Sequence, residues 1–291
     1  MYSARITRSN PSAFIFLIDQ SGSMQEQVTF NGSVMTKAEA VALVTNMLIS
    51  ETINRSRREE GVRDYFHLAL LGYSDNEVYT LVKLPAGASF LSVSQLAGLD
   101  VPQRRYTRER LLPSGESILT STEQKFWVEP RAVSNTPMYA ALNQAYDLAR
   151  KWCSATANRS GYPPIIFNIT DGEASDAEEE KLLDVAQRIR SLSTEDGNVL
   201  LINIHICPDG SGNTDGAQVI FPSSEEELGD ARHAGLLYRL SSPMPESYQE
   251  NIVRVKGPGA VAPFRGMSYN CSMADLLTMI DIGSISINMI Q

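Results

Sequence analysis

The chain of 291 residues is 43% apolar and 20% charged, a globular balance with apolar mass enough for a sizeable core, which excludes a disordered or fibrous protein. A formal charge of −9, from 25 basic and 34 acidic residues, argues against nucleic acid as a partner, because a phosphate-backbone binder needs a basic face. No apolar run reaches membrane-spanning length, residues 1–10 lack the apolar stretch of a secretion signal, and Cys153, Cys207 and Cys271 are too sparse for a disulfide framework, so a cytoplasmic location is expected.

The first strong element is residues 13–18, AFIFLI, ended by Asp19. A short, almost wholly apolar run predicts a strand buried on both faces, as in a parallel sheet. A polar loop containing Gly22 follows, and residues 33–55 carry Ala40, Val41, Val44, Met47 and Leu48 at helical spacing. Residues 66–73, FHLALLGY, predict a second buried strand. Residues 74–135 are irregular: strand-like pieces such as 78–84 mix with Gly, Pro and Ser, and Arg104, Arg105, Arg108 and Arg110 cluster there. That stretch reads as an insertion with some local β-structure, since a structureless loop of this length is uncommon inside a domain.

Regularity returns at Thr136-Pro137, where proline is pre-set for a helix start. Met138, Ala141, Leu142, Ala145, Leu148 and Trp152 then share one face. Residues 164–169 predict a third strand, closed by Thr170-Asp171-Gly172. Ser175 and Glu178 have capping-box spacing ahead of a helix lined by Leu182, Ala186, Ile189 and Leu192. Residues 199–206 predict a fourth strand, and Ser223 with Glu226 a second capping box before a helix carrying Leu228, Ala231 and Leu236. Residues 241–270 are rich in Pro, Gly and Ser, and residues 274–280 form a last apolar segment expected to pack on the sheet. Strands alternating with amphipathic helices predict an α/β fold, a doubly wound, mostly parallel central sheet with helices on both faces. The expectation is a single domain over residues 1–291, with an insertion at about 74–135 and a C-terminal extension at about 241–291.

In such folds ligands bind outside the carboxyl ends of the strands. Asp19-Gln20-Ser21-Gly22-Ser23 follows the first strand at that edge, and Asp171 follows the third. Asp19, Ser21 and Ser23 present oxygen side chains at spacing two, and Gly22 allows the tight turn that lets them converge. Joined by Thr136 and Asp171, they make two carboxylates and three hydroxyls, with no thiol or imidazole. This hard, oxygen-only set suits Mg²⁺ or Mn²⁺, with Ca²⁺ as a third candidate.

Asp-x-Ser-Gly-Ser, a Thr-Pro at a helix start and Thr-Asp-Gly after a strand, in that order, resemble the von Willebrand factor A (vWA) domain and its metal-ion-dependent adhesion site. The resemblance covers residues 13–206 most directly. It implies that Ser21, Ser23 and Thr136 ligate the metal, that Asp19 and Asp171 act largely through bound waters, and that an open position accepts an Asp or Glu from a partner protein. The chain further resembles bacterial cytosolic vWA proteins of the tellurium-resistance and stress-response type, through Phe221-Pro222-Ser223-Ser224 and residues 276–283. That likeness implies kinase-like and phosphatase-like partners.

The expected function is therefore a non-enzymatic, metal-dependent protein-interaction module. An alternative is a vWA partner of an AAA+ ATPase, as in chelatase-like assemblies. A metal-dependent hydrolase is disfavoured, because it needs a general base near the metal and none of the three loops contains a histidine. His67 and His205 fall in predicted buried strands and read as core residues, and no CxxC or HxxxH pattern supports zinc. Glu173 and Asp176 read as solvated or capping residues rather than ligands. The arginine cluster reads as a solvated face.

Overall fold

The computed structural model describes residues 2–30, 33–111, 117–206, 218–229, 232–271 and 273–283. The AFIFLI run lies in strand β1 (Ser12–Asp19), every residue of which is buried. Phe14, Phe16 and Ile18 enter one core, and Ile15 and Leu17 the other. Both faces of the strand are covered, so apolar residues are needed at successive positions and no alternation shows.

After β1 a short 3-10 turn, Gly22–Gln25, leads into a hairpin of β2 (Gln27–Phe30) and β3 (Ser33–Thr36). Helix α1 (Lys37–Ser56) follows. The helix expected from residue 33 therefore begins at Lys37, because residues 33–36 are taken up by pairing with β2. Thr36 and Glu39 form a reciprocal capping box that fixes this start. The pair β4 (Arg57–Arg58) and β5 (Gly61–Val62) turns the chain into β6 (Phe66–Ser74), parallel to β1, and β7 (Glu77–Thr80) returns antiparallel on β6.

The irregular middle holds β8 (Leu91–Ser92), α2 (Val93–Gly98) and an antiparallel hairpin, β9 (Gln103–Leu111) with β10 (Ser117–Lys125). Its far end is tied to α1 by the buried Asn46 side chain. Nδ2 donates to the Val128 carbonyl at 2.8 Å, and Oδ1 accepts from the Trp127 and Val128 N–H groups at 2.8 and 2.9 Å. Arg104 pairs with Glu129 at 2.5 Å and lies 4.5 Å over the Phe126 ring, while Arg105 faces Glu123 at 3.8 Å. The side chains of Arg108 and Arg110 lie outside the described residues.

The remaining elements are α3 (Met138–Ser154), β11 (Ile165–Thr170), α4 (Glu179–Ser191), β12 (Leu200–Ile206), β13 (Val219–Ile220), α5 (Arg232–Leu240), α6 (Gln249–Lys256), β14 (Met267–Cys271) and α7 (Met273–Gly283). The sheet order is β13-β14-β12-β11-β1-β6-β7, with β8 also on β6. The central five strands run parallel, and β13, β7 and β8 run antiparallel to their neighbours. Helices α1, α2, α6 and α7 pack in the core on one face, and α3, α4 and α5 in the core on the other. This is the doubly wound α/β architecture. The capping box expected at Ser223 and Glu226 does not form: the Ser223 N–H donates instead to Glu227 Oε1 at 2.8 Å, and its hydroxyl to the Val261 carbonyl at 2.7 Å. Cys207, Ala231 and residues 284–291 lie outside the described residues. No described helix is long and apolar enough to cross a membrane.

From β1 the chain passes to β6 on one side and later returns to β11 on the other. The strand order reverses between β1 and β11, and in open α/β sheets this switch point opens a crevice at the carboxyl ends. Asp19 ends β1 and Asp171 directly follows β11.

Candidate metal centre

Asp19 is fully buried. Its Oδ1 accepts the Ser21 N–H at 2.9 Å and its Oδ2 accepts the Thr170 hydroxyl at 2.7 Å. Burial pushes its pKa up to about 6, against the lowering effect of the bonds from Ser21 and Thr170. A cation close by would offset the cost of keeping this carboxylate ionised.

The Ser21 and Ser23 hydroxyls are 3.1 Å apart, and the Ser23 hydroxyl donates to Asp171 Oδ1 at 2.7 Å. Ser21 is buried and Ser23 exposed, so the cluster reaches solvent at Ser23. Gly22 is not in the left-handed region, so the turn does not need glycine for its φ. Its backbone instead approaches the loop ahead of α3: the Gly22 N–H donates to the Ser134 carbonyl at 2.9 Å, and the Val133 N–H to the Gln20 carbonyl at 2.7 Å. These two bonds fasten the Thr136 loop to the Asp19 loop. A Cβ placed on Gly172 would stand 3.8 Å from both Ser23 Oγ and Thr136 Oγ1, so the two hydroxyls flank the same glycine beside Asp171.

Thr136 is positioned by the loop after β11. Its N–H donates to Ser175 Oγ at 3.0 Å, and its carbonyl accepts the Ser175 N–H at 3.0 Å. Asp176 accepts the N–H groups of Tyr139 and Ala140 at 3.0 and 2.9 Å, capping α3 from outside its own sequence. Pro137 occupies the cap position of α3 and offers no side-chain acceptor. Ser175 was expected to cap α4; it serves the Thr136 loop instead, and α4 begins after Glu178 with no side-chain cap. Asp176 is a capping residue as expected, and the helix it caps is α3.

The structure thus brings Asp19, Ser21, Ser23, Thr136 and Asp171 to one edge of the sheet. Among the described residues no three His, Cys, Asp or Glu side chains converge as a metal cluster, so a cation here would depend on the hydroxyls. Adjacent oxygens in an octahedral Mg²⁺ shell stand roughly 3 Å apart, and the Ser21–Ser23 spacing fits. The donor set fits a hard divalent ion.

Two residues near the centre were not anticipated there. Lys37 is buried and its ammonium contacts Asp171 Oδ2 at 2.9 Å. Its sequence signal was a charge on a core-facing stripe, at helical spacing from Ala40, Val41 and Val44. His233 stands with its ring 5.2 Å from that of His205, and the pKa of each imidazole is lowered first by burial. Both His233 ring nitrogens are buried and lack a hydrogen-bond partner. His67 is half-buried against Trp152. Burial raises the thiol pKa of Cys153, to about 11, and of Cys271.

No protein-family model matches this chain, and no curated protein sequence matches it. Among solved structures it is similar to a von Willebrand factor type A protein from Catenulispora acidiphila, at 12% identity over 96% of this chain and 43% of that one, with a TM-score of 0.46. It is also similar to the vWF domain of the type V pili tip protein Mfa5 from Porphyromonas gingivalis, at 11% identity over 97% of both chains, with a TM-score of 0.44. The chain spans less than half the length of the first of these.

Proposed function

We propose that this chain is a vWA-type protein-interaction module whose adhesion site takes Mg²⁺ or Mn²⁺ and, through it, an acidic residue of a partner protein. The observation that carries this reading is the pair of Ser21 and Ser23 hydroxyls, 3.1 Å apart at the solvent edge of two buried carboxylates. Ser21, Ser23 and Thr136 would hold the ion directly, while Asp19 and Asp171 supply charge behind them. The bound ion would offer an open position that favours an anionic oxygen. Asp19 orients the Ser21 backbone and Asp171 the Ser23 hydroxyl, so each carboxylate also positions a ligand. The protein's charge of −9 opposes an acidic partner at long range, but screening limits that repulsion to roughly 8–10 Å at physiological salt.

We further place the module in the cytoplasm, on its sparse cysteines, and in a bacterial stress-response or tellurium-resistance-type system with kinase-like and phosphatase-like partners. We propose no catalysis at this site. The test is a pull-down with tagged protein in Mg²⁺, then in EDTA, with Ser21→Ala and Thr136→Ala in parallel. A specific partner should be retained in Mg²⁺ and lost in EDTA and in both variants. A partner held equally well in EDTA would sink the metal bridge, and recovery of an AAA+ ATPase would redirect the proposal to a chelatase-like client.

A further inference from the structure

Lys37 opens α1, and its side chain is 3% exposed. The ammonium donates to Asp171 Oδ2 at 2.9 Å and to Glu26 Oε2 at 2.7 Å. The other Asp171 oxygen takes the Ser23 hydroxyl, and the Asp171 side chain is 0% exposed. Both oxygens of this carboxylate are therefore committed, one toward the hydroxyl cluster and one to a fixed positive charge.

The contact is held by the local fold. Hairpin β2–β3 carries the chain out and back, so that the Lys37 N–H donates to the Glu26 carbonyl at 2.8 Å. The Thr36 and Glu39 capping box then sets the first turn of α1. A buried ammonium is costly unless paired and hydrogen-bonded, and here two carboxylates share it. Asp19 and Asp171 flank the hydroxyls, and the fixed positive charge beside them, Lys37, is shared with the exposed Glu26, so the cluster stays net negative and favours a divalent ion.

We propose that Lys37 is a built-in cation that sets the divalent-metal affinity of the centre, by sharing Asp171 with the ion and keeping the site partly charge-balanced without it. The inference rests on the metal reading above. A divalent ion held by the Ser21 and Ser23 hydroxyls draws on the same carboxylate as Lys37, and two cations on one carboxylate repel. Removing the lysine charge makes the site more negative and its affinity for metal higher.

The experiment is calorimetric titration of the full chain with MnCl₂ and MgCl₂, comparing wild type, Lys37→Met, Lys37→Gln and Lys37→Arg, with Asp19→Ala as the control for site-specific binding. Lys37→Gln keeps a donor toward Asp171 without the charge, and it carries the test where the Met variant does not fold. Both neutral variants should bind Mn²⁺ about tenfold more tightly, and Lys37→Arg within about threefold of wild type. Thermal melts give a second readout: the neutral variants should melt below wild type without metal and gain more from saturating Mn²⁺. If wild type binds metal through Asp19 and the folded neutral variants bind it equally or more weakly, Lys37 only positions Asp171 and the proposal is wrong. If no protein in the series binds metal saturably, the metal reading falls and this inference with it.

Discussion

The Tyr73 hydroxyl, at the end of β6, donates to Asn168 Oδ1 on β11 at 2.9 Å, reaching past the intervening strand β1. Asn168 Nδ2 in turn donates to Asn203 Oδ1 at 2.9 Å, Asn203 Nδ2 to the Ser241 hydroxyl at 2.9 Å, and that hydroxyl to the Leu237 carbonyl at 2.7 Å. All four side chains are buried. A directed polar chain therefore crosses the sheet on the α3–α5 face, and its Tyr73 end lies level with Asp19 in the β1–β6 register.

Asn168→Ala would take from the buried Tyr73 hydroxyl its nearer acceptor, leaving the Ile169 carbonyl at 3.5 Å, and from the buried Asn203 Oδ1 its donor. Each such loss costs about 1–3 kcal/mol, so the variant should lose about 2–4 kcal/mol in urea unfolding. Tyr73→Phe in the same background should cost little more, giving a coupling of at least about 1 kcal/mol in the double-mutant cycle. Additive losses would mean that the chain is not energetically connected.

Asp176→Ala removes the external cap of α3. Loss of an N-cap carboxylate typically costs about 0.5–2 kcal/mol. The same loop holds Thr136, so metal affinity should fall along with stability. Asp176→Asn, which keeps an acceptor, should retain most of both. Calorimetry beside thermal melts separates the two effects, and unchanged metal binding in a destabilised Asp176→Ala protein would show that Thr136 is held without its helix cap.

Much of this arrangement was legible in the sequence. The strands at residues 13–18, 66–73, 164–169 and 199–206 stood out because strands buried on both faces must be apolar throughout. Asp19 and Asp171 stand out because they close strands at the edge that topology makes the ligand edge, Ser21 and Ser23 because they follow Asp19 at spacing two, and Thr136 because it precedes a helix. The β2–β3 pairing is not legible because residues 33–36 directly precede a real helical periodicity and read as its first turn, although Thr36 and Glu39 carry the capping-box spacing. The roles of Ser175 and Asp176 could not be read locally. The Ser175–Glu178 spacing suits α4, and only the approach of the α3 start in three dimensions draws Ser175 and Asp176 to that helix. The pairing of His205 with His233 joins β12 to α5 and has no sequence spacing to reveal it.

Gly72 in β6 also escaped sequence reasoning, since a glycine in a strand usually marks a bulge or a close approach and nothing local said which. The structure shows close approach: a Cβ there would meet Gln20 Oε1 at 2.5 Å, Leu81 Cδ2 at 2.7 Å and Tyr79 Cε2 at 2.8 Å. Gln20 accepts the Tyr79 hydroxyl at 2.8 Å and donates to the Glu129 carbonyl at 3.1 Å. Gly72→Ala should cost about 1–3 kcal/mol from overpacking and loosen the Asp19 loop through Gln20. Reduced metal affinity with intact far-UV circular dichroism would confirm the second effect.

Acid should destabilise the metal-free protein through His205. Burial, then His233 and Lys37, hold the His205 pKa down to about 3 from its ordinary 6.5. The imidazole is stacked on Tyr269 at 4.6 Å, and its Nδ1 accepts the Asn270 N–H at 3.4 Å. Below pH 6.5 the unfolded chain takes up a proton at this residue while the folded chain does not. Stability from His205 is therefore complete above pH 6.5 and declines as pH falls toward about 3, by at most about 1.4 kcal/mol per pH unit. Asp19 has the opposite sign, because its raised pKa favours the folded state as pH falls through about 6. Comparing wild type with His205→Phe, which keeps a ring against Tyr269, cancels the Asp19 contribution. Relative to the Phe variant, wild type should lose about 3 kcal/mol between pH 7 and pH 4, read from urea melts in EDTA. Parallel pH profiles for the two proteins would show that His205 takes up its proton within the folded state.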